Sequence, residues 1–226
     1  MTAQPASTLR SDMDLRDEEL VDRVRAGETR LFEHIMRRNN QRLYRAARAI
    51  VRDEIEAEDV MQEAYTQAFA HLADFQGTAK FSTWLTRIAI HDAIARVKKR
   101  GRFGELDEET ELNGPTDHAA ATPEANTADA ELRSELERAI DTLPDNFRTV
   151  FMMRAVEGLT VSETAECLSI PEDTVKTRLF RARGLLQKFL AQSEHAPEQA
   201  AFQFLVPRCD RVVAAVFARI ARLEAR

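Results

Sequence analysis

The chain has 226 residues, of which 44% are hydrophobic, and its 32 Lys and Arg against 38 Asp and Glu give a formal net charge of −6. That length is enough for two small hydrophobic cores, and no apolar run approaches the roughly 18 residues that cross a membrane. The two cysteines lie far apart and the N-terminus lacks a basic-then-apolar signal pattern. A secreted disulfide scaffold is therefore disfavoured, and we expect an intracellular, cytoplasmic protein.

The first helical segment follows a polar tail, which we assign to residues 1–18. From Glu19 to about Lys99 the apolar residues recur at steps of three and four, which indicates helices throughout. Within this segment, Glu56–Phe69 places acidic and amide side chains on one helix face: Asp59, Gln62, Glu63 and Thr66. Such a face is either a solvated surface or one that pairs with a partner protein.

The next helix begins with aromatic residues and ends with basic ones. Between Thr83 and Arg102 there are six basic residues and one acid. Aromatic side chains stack on unpaired bases and cations hold the backbone, so this pattern suits single-stranded nucleic acid. The candidate contacts are Trp84, Arg87, His91, Arg96, Lys98, Lys99 and Arg100. The alternatives are a core position for Trp84 and a solvated, dipole-stabilised helix end for the Lys98–Arg100 cluster.

The middle of the chain is strongly acidic. Residues 104–131 contain nine Asp and Glu and no Lys or Arg, which leaves 29 acids and all 32 basic residues elsewhere. This segment also contains Asn113-Gly114-Pro115 and too few apolar residues to offset the entropy of ordering. We therefore predict a flexible linker over 104–131, with one helical domain before it (19–103) and a second after it (132–192).

The second domain contains the pattern of a helix-turn-helix. Thr160-x-x-Glu163 is a capping box that begins one helix, and Ser169-Ile170-Pro171 forms the turn before the next. The second helix has a stripe of apolar residues, Val175, Leu179, Ala182, Leu186 and Leu190, and between Thr174 and Lys188 it carries five basic residues and no acid. Cations that neutralise phosphates and N-terminal side chains that reach base edges are typical of DNA reading in the major groove. The candidate contacts are Thr174, Lys176, Thr177, Arg178, Arg181, Arg183 and Lys188, and the alternative is an ordinary amphipathic surface helix.

Residues 193–226 form a C-terminal extension that we predict to be helical. Its apolar residues share one side (Val212, Val213, Val216, Ile220 and Leu223), and arginines share the other (Arg211, Arg219, Arg222 and Arg226). We expect this helix to dock on the second domain, with a regulatory contact or a contact with an anionic surface as alternatives. Cys209, beside Arg208, is either an inert or a reactive thiol.

Nothing in the sequence points to catalysis. The seven glycines form no phosphate-binding loop, the five histidines no ligand pair, and the two cysteines no zinc site. We therefore predict no catalytic residue, metal or cofactor. The fold class predicted is all-α: two small helical domains joined by a flexible acidic linker, with the helix-turn-helix in the second.

Three motifs, in this order, resemble the extracytoplasmic-function (ECF) sigma factors of bacterial RNA polymerase. Glu56–Phe69 resembles the family's acidic polymerase-binding helix, and Phe81–Arg96 its Phe-x-x-Trp-Leu-x-Arg-Ile-Ala stretch. The third motif, the family's fourth conserved region, is matched by Leu143-Pro-x-x-x-Arg148-x-Val-Phe, Glu157-Gly-Leu-Thr and Val175–Arg183. Two positions depart from the family pattern: His91 stands where Asn is common, and Ser169 replaces the usual Gly of the turn.

The resemblance implies a division of labour. The first domain would bind the clamp helices of the largest polymerase subunit through Asp59, Gln62, Glu63 and Thr66, and would capture the −10 promoter element through the candidates from Trp84 to Arg100. The second would hold the polymerase flap and read the −35 element through the candidates from Thr174 to Lys188. The acidic linker would thread through the polymerase interior, and an anti-sigma factor would hold the two domains closed.

Two other classes of protein remain open. A stand-alone helix-turn-helix regulator would use the first domain for dimerisation or sensing and would bind DNA without polymerase. A protein-only adaptor would have no salt-dependent affinity for DNA.

Overall fold

The structure, a computed structural model, describes residues 15–100, 134, 136–190, 202 and 206–225. All regular elements in these ranges are helical, which confirms the predicted fold class of two helical domains with a helix-turn-helix in the second. The predicted polar tail and the acidic linker lie almost wholly outside the described residues. None of the helices within these ranges combines the length and apolar character needed to cross a membrane.

The first domain consists of α1 (Asp17–Arg25), α2 (Phe32–Val51), α3 (Glu54–Ala70) and α4 (Phe81–Lys99). Helix α1 begins two residues before the predicted start, because the Glu19 carboxylate accepts a hydrogen bond from the Arg16 backbone N–H at 2.7 Å and fixes the first turn. Helix α2 ends at Val51, and the next residue, Arg52, has a left-handed φ of 63°. Asp53 then begins α3 by accepting a hydrogen bond from the Glu56 backbone N–H at 2.8 Å.

The core of the first domain lies where α2, α3 and α4 pack together. Phe32, Met61 and Leu85, one from each of these helices, are fully buried. The Tyr65 hydroxyl is buried too, and it donates to the Met36 carbonyl at 3.0 Å and to the Asn40 side chain at 2.8 Å. This core fixes α3 and α4, the two helices that carry the predicted surfaces of the first domain.

The second domain contains α5 (Asp145–Phe151), which continues as one π-helical turn over Met152–Val156, then α6 (Val161–Leu168) and α7 (Glu172–Leu190). The predicted capping box at Thr160 and Glu163 is present. Ser169, between α6 and α7, has a φ of 54°, a left-handed conformation that explains why glycine is usual there. Val175, Ala182 and Leu186 of the predicted stripe are buried, which confirms the helix-turn-helix.

The two domains pack directly against each other, a contact that the sequence analysis did not predict. Helix α2 contacts α5, and α4 contacts α6. Arg148 of α5 is fully buried, and its guanidinium donates to the Ala49 carbonyl of α2 at 2.6 Å and to the Leu143 carbonyl at 2.9 Å. Arg45 of α2 forms an ion pair with Glu157 at 3.0 Å. These contacts give the two domains a closed arrangement.

The C-terminal extension forms α8 (Val206–Glu224), so the prediction of a helix is confirmed. The expected docking on the second domain is wrong: α8 packs on α3 and α2 of the first. Four residues of its apolar stripe are buried there: Val212, Val213, Val216 and Ile220. The physical reason lies in the charges that flank this stripe, because arginines of α8 meet the acidic residues of α3.

Candidate functional surfaces

The predicted acidic face of α3 is only partly open. Asp59 is exposed, whereas Gln62, Glu63 and Thr66 are half-buried. Glu63 forms an ion pair with Arg219 of α8 at 3.2 Å, and the Thr66 hydroxyl donates to the Gln62 carbonyl at 2.7 Å. The four residues therefore do share one side of α3, but α8 covers part of it.

Glu58, one turn before Gln62, is the most strongly paired carboxylate of α3. It accepts hydrogen bonds from the Arg208 side chain at 2.6 Å and from Arg211 at 2.7 Å. Burial alone would raise the pKa of Glu58, but the hydrogen bonds from Arg211 and Arg208 outweigh it, so the pKa lies below its usual value. Sequence reasoning did not select Glu58, because its partners are about 150 residues away in the chain.

Trp84 lies at the start of α4 in an aromatic cluster. Its ring centroid is 5.5 Å from those of Phe75 and Phe81, and the rings are tilted relative to one another. Phe75 and Phe81 are buried, whereas Trp84 is half-buried. The tryptophan thus packs against the core and also reaches the surface, so both roles considered for it from sequence are physically compatible.

The remaining predicted residues of α4 fall into two groups. His91, Lys98 and Lys99 are exposed. Arg96 forms an ion pair with Asp92 at 2.7 Å within the helix, and Arg100 forms one with Glu56 of α3. The basic end of α4 is therefore an exposed pair of lysines beside two arginines whose charge is partly neutralised.

Arg87 is engaged by the second domain. Its guanidinium donates to the Glu166 carboxylate of α6 at 2.6 Å. One turn earlier, the Thr83 hydroxyl donates to Glu163 of α6 at 3.0 Å. The first helix of the helix-turn-helix therefore binds the aromatic end of α4. The roles of Thr83, Glu163 and Glu166 in this contact were missed from sequence, since their separation along the chain gives no local signal.

Helix α7 presents a basic face opposite its buried stripe. Thr177, Arg181, Arg183 and Lys188 are exposed, as predicted, whereas Thr174 and Arg178 are half-buried. Lys176 is exposed and pairs with Asp173 at 2.9 Å. The Thr177 hydroxyl donates to the Asp173 carbonyl at 2.9 Å. Arg181 and Lys188 thus lie on the side of α7 away from the core, with Lys176 and Arg183 on one flank of the buried stripe, an arrangement that suits a phosphate backbone.

Comparison with known proteins gives the class to which this arrangement belongs. Residues 35–103 match Sigma-70 region 2, and residues 133–186 match Sigma-70, region 4. The chain is 33% identical over 181 residues to the RNA polymerase sigma-H factor of Pseudomonas aeruginosa, with coverage of 77% of this chain and 94% of that protein. It is 32% identical over 184 residues to the ECF RNA polymerase sigma factor SigW of Bacillus subtilis, covering 79% of this chain and 98% of SigW.

Solved structures share the fold. The sigma factor RpoE in complex with the anti-sigma factor NepR from Bartonella quintana has a TM-score of 0.54 and 21% identity, with coverage of 72% of this chain and 98% of that chain. CnrH in complex with the cytosolic domain of CnrY has a TM-score of 0.56 and 24% identity, over 78% of this chain and 99% of that one.

The chain is a sigma factor of RNA polymerase, with regions 2 and 4 in its first and second domains. It belongs to the ECF family, and as such it binds core RNA polymerase and promoter DNA and directs promoter-specific initiation of transcription.

Proposed function

We propose that three surfaces divide this work. The face of α3 formed by Asp59, Gln62, Glu63 and Thr66 binds the clamp helices of the largest polymerase subunit. Helix α4 captures and opens the −10 element through Trp84, Arg87, His91, Arg96, Lys98, Lys99 and Arg100. Helix α7 reads the −35 element through Thr174, Lys176, Thr177, Arg178, Arg181, Arg183 and Lys188, and its domain holds the polymerase flap.

The exposed basic face of α7 carries this proposal. Arg181 and Lys188 lie opposite a buried apolar stripe, Arg183 lies on its flank, and no ion pair of these three is present among the described residues. A helix-turn-helix with unneutralised cations on its second helix suits a polyanion. A stand-alone regulator would use this helix too, but it would leave the match to region 2 without a role.

The proposed domain bounds are 19–103 and 132–192, with the tail at 1–18, the linker at 104–131 and the extension at 193–226. The segments matched by regions 2 and 4 support the two domains. We assign no reaction to the chain itself, because recognition and strand separation are its part and nucleotide addition is the polymerase's. Its place of action is then the nucleoid in the cytoplasm.

An anti-sigma factor completes the proposal. RpoE was solved with the anti-sigma factor NepR bound, and CnrH with the cytosolic domain of CnrY bound. A partner of that class would hold the present chain in its closed arrangement, with α4 against α6.

Transcription in vitro with purified core polymerase tests the function. We expect defined start sites only when this protein is added. Asp59→Arg places a cation on the exposed part of the α3 face and touches no partner within the described residues, so it should lower polymerase affinity about tenfold or more. Asp22→Arg makes the same charge change at an exposed site of α1, where it removes a long, exposed ion pair with Arg25 at 3.4 Å, and is the control. Start sites scattered without specificity, or no effect of Asp59→Arg on polymerase binding, would contradict the assignment.

A further inference from the structure

Helix α8 lies across the same face of α3 that we assign to the polymerase. Near its beginning, Arg208 binds Glu54 at 3.1 Å and Glu58 at 2.6 Å. Near its end, Arg219 binds Glu63 at 3.2 Å and Glu224 accepts a hydrogen bond from Thr29 at 2.9 Å. Ion pairs near both ends, with a hydrogen bond at the last turn, thus hold the helix to the first domain.

The apolar contact adds to this pairing. Val212, Val213, Val216 and Ile220 are all buried against α3 and α2, and burial of such side chains is the main favourable contribution to helix docking. Cys209 is also part of the contact, and its sulfur accepts a hydrogen bond from Asn40 at 2.8 Å. The docked position is therefore specific in both shape and charge.

A partner helix that binds Glu63 and Thr66 must compete with docked α8. Arg219 already occupies the Glu63 carboxylate, and Thr66 lines a cleft together with Arg219, Arg222 and Leu223. We propose that α8 is an autoinhibitory segment, which occupies the polymerase-binding face of this sigma factor and is displaced when core polymerase binds. This inference rests on the proposed role of the α3 face.

The two ends of α8 are held unequally. The Glu58 side chain is only 10% exposed and that of Arg208 18%, so this ion pair is shielded from water, whereas Arg211 is 59% exposed. Glu63 and Arg219 are 37% and 35% exposed, and a pair so accessible to water adds little stability. The cleft at this end, about 270 Å³, leaves Leu223 partly exposed. Polymerase can therefore begin at the loosely held end of α8, beside Glu63 and Thr66, from which displacement proceeds towards Glu58.

The size of the effect follows from the fraction of molecules in which α8 is undocked. The apparent dissociation constant equals the intrinsic constant divided by the competent fraction. A helix docked in about nine molecules of ten would therefore weaken polymerase binding about tenfold. Substitutions that undock α8 without changing the α3 face should therefore tighten polymerase binding by the same factor.

The experiment compares full-length variants in their affinity for core polymerase. Arg208→Glu with Arg211→Glu places two carboxylates against Glu58 and leaves every proposed polymerase contact unchanged. Ala214→Glu introduces the same residue on the exposed side of α8 and is the matched control. We expect the double variant to bind about tenfold tighter and the control to bind like the unchanged protein.

If the double variant loses its helical circular dichroism signal, a second variant and a second measurement still test the proposal. Arg219→Glu repels Glu63 at the exposed end of α8 and should tighten binding about twofold to fivefold. In the unchanged protein, alkylation of Cys209, followed by peptide mass spectrometry, should become faster when core polymerase is added. Cys167 is fully buried in the second domain and serves as the internal reference.

Equal or weaker polymerase binding by the folded variants would overturn the autoinhibitory role, as would an alkylation rate of Cys209 that polymerase does not change. Weaker binding would instead make α8 part of the polymerase contact. If neither the unchanged protein nor any variant binds polymerase, the proposed function itself fails. If all of them bind polymerase with equal affinity, only the autoinhibitory role of α8 fails.

Discussion

Glu163 of α6 binds Thr83 of α4 and at the same time caps its own helix. One carboxylate oxygen accepts the Thr83 hydroxyl at 3.0 Å, and the other accepts the Thr160 backbone N–H at 2.8 Å. The residue that begins the helix-turn-helix thus also joins it to the helix that we assign to the −10 element. A single side chain contributes both to the local fold of region 4 and to the closed arrangement of the two domains.

The first prediction separates these two contributions. Glu163→Ala removes the side-chain half of the capping box and the contact with Thr83, and leaves the hydrogen bond from the residue 163 backbone N–H to the Thr160 hydroxyl in place; it should lower the free energy of unfolding by about 1–2 kcal/mol. Thr83→Val removes only the contact and should cost about 1 kcal/mol or less. Urea unfolding of both variants at neutral pH measures the difference. Equal losses would mean that the capping hydrogen bond adds nothing.

The effect of Glu163 should also depend on pH. The hydrogen bond from the Thr160 backbone N–H is the main cause that lowers the pKa of Glu163 below its ordinary value of 4.5. A carboxyl group with a lowered folded-state pKa stabilises the protein fully above the unfolded value and loses this effect as the pH falls through the folded value. The gap between the unchanged protein and Glu163→Ala should therefore be widest at neutral pH and should close in acid. A gap that persists in strong acid would contradict this origin.

Local patterns were enough to predict the helix-turn-helix. The capping box spans three residues, and the stripe of Val175, Ala182 and Leu186 repeats within one helix, so each signal is contained in a short window. The same reasoning correctly predicted that residues after 193 include a helix. It could not predict where that helix docks, because an apolar stripe fits any apolar groove of the right shape.

Local sequence patterns could not predict the contact between the two domains either, because the residues that form it are far apart in the chain. Arg45 and Glu157 are separated by more than a hundred residues, and in sequence each looks like a surface charge. In sequence, Arg148 likewise appears only as one position of the motif that begins at Leu143, with no sign that it is buried against α2. Which of many charges pair across a fold is decided by the packing of whole helices, so only the structure identifies Glu58 and Glu63 as the partners of α8.

Arg148 gives the second prediction. Its side chain is fully buried, and burial lowers its pKa to about 10, so it remains charged at neutral pH. Arg148→Met keeps an apolar side chain of similar length but removes the donor to the Ala49 carbonyl, while the Leu143 carbonyl keeps a hydrogen bond from Arg52 at 3.1 Å. A buried carbonyl left unpaired costs about 1–3 kcal/mol, so we expect a loss of roughly 1–3 kcal/mol in unfolding free energy.

The matched control is Arg138→Met, which removes an exposed guanidinium whose hydrogen bond to the Ser134 carbonyl is long, at 3.4 Å. This variant should change stability by no more than about 0.5 kcal/mol. Thermal or urea unfolding followed by circular dichroism measures both. Similar losses in the two variants would show that the burial of Arg148 contributes nothing specific.

The third prediction ranks two ion pairs between the domains. Arg45 and Glu157 are each 9% exposed, whereas Arg87 and Glu166 are 37% and 51% exposed. Arg45→Ala leaves a buried carboxylate with only the more distant Arg42 nearby and should cost about 3 kcal/mol. Arg87→Ala removes a pair that water screens and should cost about 1 kcal/mol or less. Urea unfolding of the two variants measures both losses in unfolding free energy. A larger loss for Arg87→Ala would contradict the expectation that the more buried ion pair contributes more.

The fourth prediction concerns DNA reading by the holoenzyme. Arg181 is exposed on the basic face of α7, about two turns from the start of the helix. If it contacts a base edge, Arg181→Ala should weaken promoter binding by about 1–3 kcal/mol and relax the preference at one position of the −35 element. Arg183→Ala, a phosphate contact in this assignment, should instead weaken binding to all sequences alike and reduce its salt dependence.

Footprinting of the holoenzyme on a set of promoters, each with one substitution in the −35 element, separates the two roles. Arg222→Ala removes an exposed arginine from α8 and controls for the loss of one positive charge. A change in sequence preference in Arg181→Ala alone would support base reading by this residue. Unchanged selectivity in Arg181→Ala, together with a lower salt dependence, would reassign Arg181 to the phosphate backbone, since a contact without sequence information can only position the helix.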